Sequence, residues 1–195
     1  NMIAMMAARN TRDAAIKRSG LSGRPQLYGF VNADAHYSMD RAANILGIGI
    51  ENLIKVPVDD HGRMTGPALE AAIETVRAAG GEVFFVAATA GTTVRGAYDP
   101  LEPLIALRAR HGFWLHVDGA WGGAAIFSDR LRLQYLEGLE QADSFTLDFH
   151  KMPGTALMCN VLLFNNRPML LREVCSAGDE SYIFRAGPDG DVRDL

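Results

Sequence analysis

VFFVAATAGTT, residues 83–93, decides the fold. Its first six residues, Val83–Ala88, are all apolar, so neither side of the segment is suited to water. A strand of that kind is buried on both faces, as in a parallel sheet covered by helices on each side. The small and hydroxyl-bearing residues that follow, Thr89 to Thr93, form a loop where backbone and side chains can approach a ligand closely.

Working outward, strand-like and helix-like segments alternate. Residues 2–18, rich in Ala and Met, read as a helix. Leu27–Val31 and Leu53–Val58 read as strands, with the helix Ser38–Leu46 between them stopping at Gly47. Pro67–Ala79 is a helix bounded by Thr65-Gly66 and Gly80-Gly81. Pro100–Arg110 is helical; Trp114–Val117, Ser144–Leu147 and Val161–Phe164 are strands, and residues 167–175 are a further helix. Strand, helix, strand with short connections implies right-handed crossovers and a mainly parallel sheet flanked by helices, an α/β fold.

Composition excludes little and favours much the same reading. The chain has 195 residues, 48% of them hydrophobic, and a formal net charge of −4. That is enough for a sizeable core. Basic residues are scattered, so no nucleic-acid partner is expected. No apolar run is long enough to span a bilayer. Two cysteines, Cys159 and Cys175, make no disulfide framework and read as reduced thiols of a cytoplasmic protein.

Ligands of such sheets bind at the carboxyl ends of the strands, and four strand ends carry unusual residues. His36 follows the first strand, with Ser38 as the helix N-cap beyond it. An imidazole there can stack on an aromatic ring or transfer protons, although a solvated loop histidine is the commoner case. Thr92 and Thr93 follow VFFVAA. Asp118 closes FWLHV and shares one face of that strand with His116. A carboxylate so placed is costly unless it meets a cation or hydrogen-bond donors. Gly119, Gly122 and Gly123 read as clearing space around it. Asp148, Phe149, His150 and Lys151 follow the Ser144–Leu147 strand. A lysine amine at a strand end can point into a cleft and form a Schiff base with an aldehyde. A metal-dependent hydrolase built on His116, Asp118 and His150 is the weaker reading, because no HExxH spacing exists and Lys151 would have no task.

An amine, a carboxylate, an imidazole lid and small hydroxyl residues at successive strand ends match what pyridoxal 5'-phosphate (PLP) chemistry requires. The stretches HYSMDRAANILGIG (36–49), ATAGTTVRGAYDPL (88–101), HVDGAWGG (116–123), ADSFTLDFHKMPG (142–154) and SYIFRAG (181–187) resemble the group II PLP-dependent amino-acid decarboxylases. The resemblance implies the large domain of PLP-dependent transferase fold type I over residues 1–195. It implies decarboxylation of an L-amino acid to an amine and carbon dioxide, with another PLP enzyme of that fold or an inactive homologue as the alternatives. By that resemblance Lys151 carries PLP as a Schiff base and Asp118 pairs with the pyridine nitrogen. His36 and Ala120 lie on the two ring faces, and His150 and Asp148 lie near the phosphate. Thr92 or Thr93 contacts the cofactor or the substrate. Phe149 stands where relatives commonly have proline, and Gly119 where alanine is frequent.

The same resemblance implies a homodimer with a shared active site and a cytoplasmic location. The HKMxG and Tyr-x-Phe-Arg stretches point to the branch acting on glutamate or cysteine sulfinate, with diaminobutyrate enzymes sharing parts of the pattern. Relatives carry a Gly-Gly-Ser/Thr phosphate-binding segment just upstream of the asparagine matching Asn1, and a small C-terminal domain after the region seen here. The chain therefore reads as the incomplete core of a larger protein, binding PLP weakly by itself.

Overall fold

A computed structural model of the chain describes residues 1–165 and, by backbone pairing alone, Arg185–Ala186 and Val192–Arg193, which run antiparallel to each other. The expected helix at 167–175, the SYIFRAG stretch and Cys175 lie outside the described side chains.

Six strands form one sheet: β1 (Leu27–Asn32), β2 (Leu53–Val56), β3 (Glu82–Thr89), β4 (Trp114–Asp118), β5 (Ser144–Asp148) and β6 (Asn160–Phe164). Their order is β2-β1-β3-β4-β5-β6. The first five are parallel and β6 is antiparallel to β5. The helices are α1 (Met2–Arg12), α2 (Ile16–Ser19), α3 (Ser38–Ile45), α4 (Gly66–Ala78), α5 (Leu101–His111) and α6 (Asp129–Tyr135). The strand order reverses at β1, which puts a crevice beside the carboxyl ends of β1 and β3.

The sheet separates two apolar clusters. Met5, Ala8, Met39 and Ala43 of α1 and α3 pack with Val31, Phe85, Ala87 and Trp114. Leu69, Ile73, Leu104 and Leu107 of α4 and α5 pack with Val86, Ala88, Leu115, Val117 and Phe145 on the opposite side. Burial on both faces is what the unbroken apolar run of β3 requires.

Several expected boundaries move, each for a local reason. The helix expected over 2–18 is two. Asp13 adopts an extended conformation, its carboxylate accepts from the Ala15 amide at 2.8 Å, and its other oxygen pairs with Arg24. A short acid that bonds its own backbone ends a helix. Strand β2 stops at Val56 because Pro57 has no N–H for a ladder, leaving only an isolated bridge from Val58 to Met64. Ser38 is the first helical residue and Tyr37 the cap, so the Ser38 hydroxyl is free for another use. Helix α6 and the 3-10 turn Gly122–Phe127 before it were not foreseen. Ser128 caps α6 through its hydroxyl, and the segment carries none of the long apolar periodicity that marks a helix in sequence.

Asp99 ties the sheet's carboxyl edge together. It is 2% exposed and accepts from Asn32 Nδ2 at 2.7 Å, from the Met64 amide at 2.6 Å and from the Thr89 amide at 2.8 Å. It thus joins β1, β3 and the loop leading to α4. Burial pushes its carboxyl up to about 6, against the pull of those three donors. Asp99→Ala leaves three buried N–H groups without partners. The expected loss is about 3 kcal/mol or more, read as a lower thermal midpoint of the full-length protein. The native state holds a proton that the unfolded chain releases near pH ~4. The Asp99 contribution is therefore full below that pH and declines as pH rises through about 6. Comparing wild type with Asp99→Ala across this range checks the sign.

Candidate active site

The carboxyl ends of β1, β3, β4 and β5 meet around one cavity of about 210 Å³. Its lining includes His36, Asp118, Ala120, Asp148 and Lys151, five of the residues singled out in the sequence. Thr92, Thr93 and His150 are not in that lining. Thr92 is buried and its hydroxyl accepts from the Ala97 amide at 3.0 Å, closing the loop after β3, while Thr93 is exposed. His150 Nδ1 accepts from the Cys159 amide at 3.2 Å, which helps return the chain from β5 into β6.

In-register pairing lays the cavity floor. Thr89, Asp118 and Thr146 are aligned across β3, β4 and β5 and all three line the cavity. Asp118 is 5% exposed. Its oxygens accept from Asn1 Nδ2 at 2.7 Å and from the Ala120 amide at 3.1 Å, and no Lys or Arg side chain pairs with it among the described residues. A buried carboxylate held by neutral donors is complete only when a cation joins it. Beside it, Thr89 Oγ1 is buried without a hydrogen-bond partner among the described residues. Both features fit a flat heterocycle with a protonated ring nitrogen and polar substituents.

Across the cavity, Lys151 Nζ lies 2.9 Å from Asp148 Oδ2, and Asn160 Nδ2 donates to Asp148 Oδ1 at 2.6 Å. Asp148 thus aims the lysine and is itself held by β6. His36 is exposed at the rim; its Nδ1 accepts from the Ser38 amide at 3.3 Å, and its ring centroid is 4.3 Å from that of Tyr37.

The glycines around Asp118 do something other than clear room for a ligand. A Cβ on Gly119 would lie 2.3 Å from Phe145 Cε2, one on Gly123 2.7 Å from Phe145 Cζ, and one on Gly122 2.4 Å from the Tyr98 hydroxyl. They let the turn after β4 press onto the core beneath the site. The structure also adds Asn1, Ser38, Thr89, Trp121, Thr146 and Asn160 to the lining. One signal for Thr146 was present: Ser144, Thr146 and Asp148 alternate with Phe145 and Leu147, a polar stripe of period two.

A lysine and a buried carboxylate thus converge on one cavity at the carboxyl edge of a mainly parallel sheet. The sequence profile described as "Pyridoxal-dependent decarboxylase conserved domain" matches residues 1–189, and the chain belongs to that family. It is 42% identical over 192 residues to "Acidic amino acid decarboxylase GADL1" of Mus musculus, covering 98% of this chain and 34% of that protein. It is 39% identical over 192 residues to "Cysteine sulfinic acid decarboxylase" of Homo sapiens, covering 98% of this chain and 38% of that protein. The chain thus spans little more than a third of the length of these relatives. Among solved structures, mouse CSAD in apo form superposes with a TM-score of 0.88 at 38% identity, covering 92% of this chain and 38% of that one. Oryza sativa TDC with PLP and tryptamine superposes with a TM-score of 0.85 at 29% identity, covering 100% of this chain and 40% of that one.

Phe149 alters the lysine's turn in a way proline could not. Its amide donates to the Cys159 carbonyl at 2.8 Å and its ring lies 5.8 Å from that of Phe127. Phe149→Pro removes that donor, at an expected cost of about 0.5–1.5 kcal/mol. The thermal midpoint of the full-length protein should fall accordingly. An unchanged midpoint would show that the bond contributes nothing.

Proposed function

We propose that these residues are the core of the PLP-binding large domain of a cytoplasmic, homodimeric enzyme that decarboxylates an acidic L-amino acid. The observation that carries the reading is the convergence on one cavity of Lys151 and Asp118, a buried carboxylate that pairs with no Lys or Arg side chain among the described residues. The acidic-substrate preference is supported by the likeness to relatives named for acidic amino acid and cysteine sulfinic acid decarboxylation. Exposed apolar side chains beside the cavity, Trp121, Phe127 and Met152, support a subunit contact there. The cytoplasmic reading rests on the exposed free thiol of Cys159, and no helix among the described residues is long and apolar enough to cross a membrane.

PLP, when bound, supplies an aldehyde to join the amine and a protonated ring to receive the electron pair left on the substrate carbon when carbon dioxide departs. Lys151 would hold the aldehyde end, and Asp118 would keep the proton on the ring nitrogen by favouring the charged form of its neighbour. His36 and Ala120 would confine the ring between them, His36 being placed at the rim to return a proton to the substrate carbon. Asp148 would orient Lys151 and, with His150, border the phosphate end. Thr89 would give its unpartnered hydroxyl to a ring substituent, a role the sequence suggested for Thr92 or Thr93.

The full-length protein, loaded with PLP and reduced with borohydride, should yield one labelled peptide, and that peptide should contain Lys151. It should release carbon dioxide from glutamate, aspartate or cysteine sulfinate. Asp118→Ala should leave the ring cation unpaired, a loss of about 3–5 kcal/mol. At about 1.4 kcal/mol per tenfold that is a rate drop of roughly a hundredfold to a few thousandfold. A label on another lysine, or full activity in Asp118→Ala, sinks the assignment.

A further inference from the structure

Below the cavity floor lies a buried histidine for which the reaction gives no role. His116 sits one pleat beneath Asp118 on the same face of β4, fully buried, level with Ser144 of β5. Polar side chains run from it in both directions. Downward, His116 Nδ1 is 2.8 Å from Ser144 Oγ, which accepts from Trp114 Nε1 at 2.8 Å. Upward, His116 Nε2 is 3.0 Å from Asn1 Oδ1, and the Asn1 amide nitrogen donates to Asp118 at 2.7 Å and to Ser38 Oγ at 2.8 Å.

The carboxylate end of this column sets the direction of its bonds, with Thr146 Oγ1 a further polar neighbour 3.5 Å from His116 Nε2. Asp118 as a carboxylate only accepts, so Asn1 must turn its NH₂ toward it and its carbonyl toward His116. Nε2 of His116 must therefore carry a hydrogen. At the other end an indole N–H only donates, so the Ser144 oxygen receives from Trp114 and its own hydrogen is available for Nδ1. Burial holds the imidazole neutral, pushing it down to about 3. A neutral ring with a hydrogen on Nε2 has a bare Nδ1, which the Ser144 hydroxyl satisfies.

We propose that His116 is a positioning residue, locked by Ser144 and Trp114 as the neutral Nε2–H tautomer, which holds the Asn1 amide with its NH₂ toward Asp118. Without that lock the Asn1 amide can rotate and present its oxygen to the carboxylate, and Asp118 loses the donor that aims it into the cavity. The consequence for cofactor binding rests on Asp118 being the acid that meets the ring nitrogen; the tautomer does not.

Full-length protein carrying ¹⁵N-histidine, free of added PLP, tests the lock directly. One histidine, identified by its loss in His116→Gln, should show a protonated Nε2 and a bare Nδ1, unchanged from roughly pH 5 to 8. Ser144→Ala should mix the tautomers. A hydrogen on Nδ1, or a titration within that range, overturns the proposal. Equilibrium binding of PLP provides the second measurement. His116→Leu should weaken it by roughly tenfold or more, and His116→Gln, whose amide can still donate to Asn1, should recover most of the loss. Equal binding by wild type and His116→Leu overturns the positioning role. Wild-type protein that binds no PLP overturns the functional reading instead, and the tautomer alone then decides.

Discussion

The carboxylate of Asp118 is the constraint around which this end of the molecule is arranged. It sits at the end of a fully buried strand, in register with Thr89 and Thr146, and accepts from the Asn1 amide and the Ala120 N–H, with no Lys or Arg side chain paired to it among the described residues. An acid in such a place destabilises the fold unless it is hydrogen-bonded and finally paired. The neighbouring elements meet the first need: α1 brings Asn1 over the carboxyl edge and the turn after β4 brings the Ala120 amide. Among the described residues no Lys or Arg side chain meets the second, which leaves the carboxylate suited to a cationic ligand.

The scaffold makes that arrangement rigid from beneath. Alternate residues of β3, β4 and β5 face α4 and α5 as a dry apolar layer, and the others face α1 and α3. The second layer turns polar toward the carboxyl edge. Asp99 joins three chain segments near that edge, while at the amino ends of β4 and β5 Arg108 holds Asp143 through two bonds and Asp143 accepts from the Leu115 amide. Such bonds fix the strand ends against one another, which a site drawn from four separate strand ends needs.

Much of this was legible in the sequence because the signals were local. The VFFVAA run, the alternation of periods and the strand-end positions of His36, Asp118 and Lys151 need no knowledge of distant contacts. Where the reading fell short, the missing information was non-local. The break at Asp13 depends on Arg24, the true use of Thr92 on Ala97, and the task of Gly119 and Gly123 on a ring 22 to 26 residues away in sequence (145 − 123 and 145 − 119). Thr89 was read only as part of the Thr89–Thr93 loop, because it is told apart from Thr92 and Thr93 by the loop's hydrogen bonds. Asn1 was invisible as a site residue, since nothing along the chain connects it to a strand end 117 positions later.

The contact between Gly119 and Phe145 constrains how this protein can change over generations. A methyl at one position and a phenyl ring at the other compete for the same few cubic ångströms, so the two sites cannot drift independently. A lineage that acquires alanine at 119 must first have shrunk the side chain at 145, whereas the reverse order passes through an overfilled core. The pair should therefore be inherited as a unit, and a hybrid gene joined between the two positions could inherit an incompatible combination.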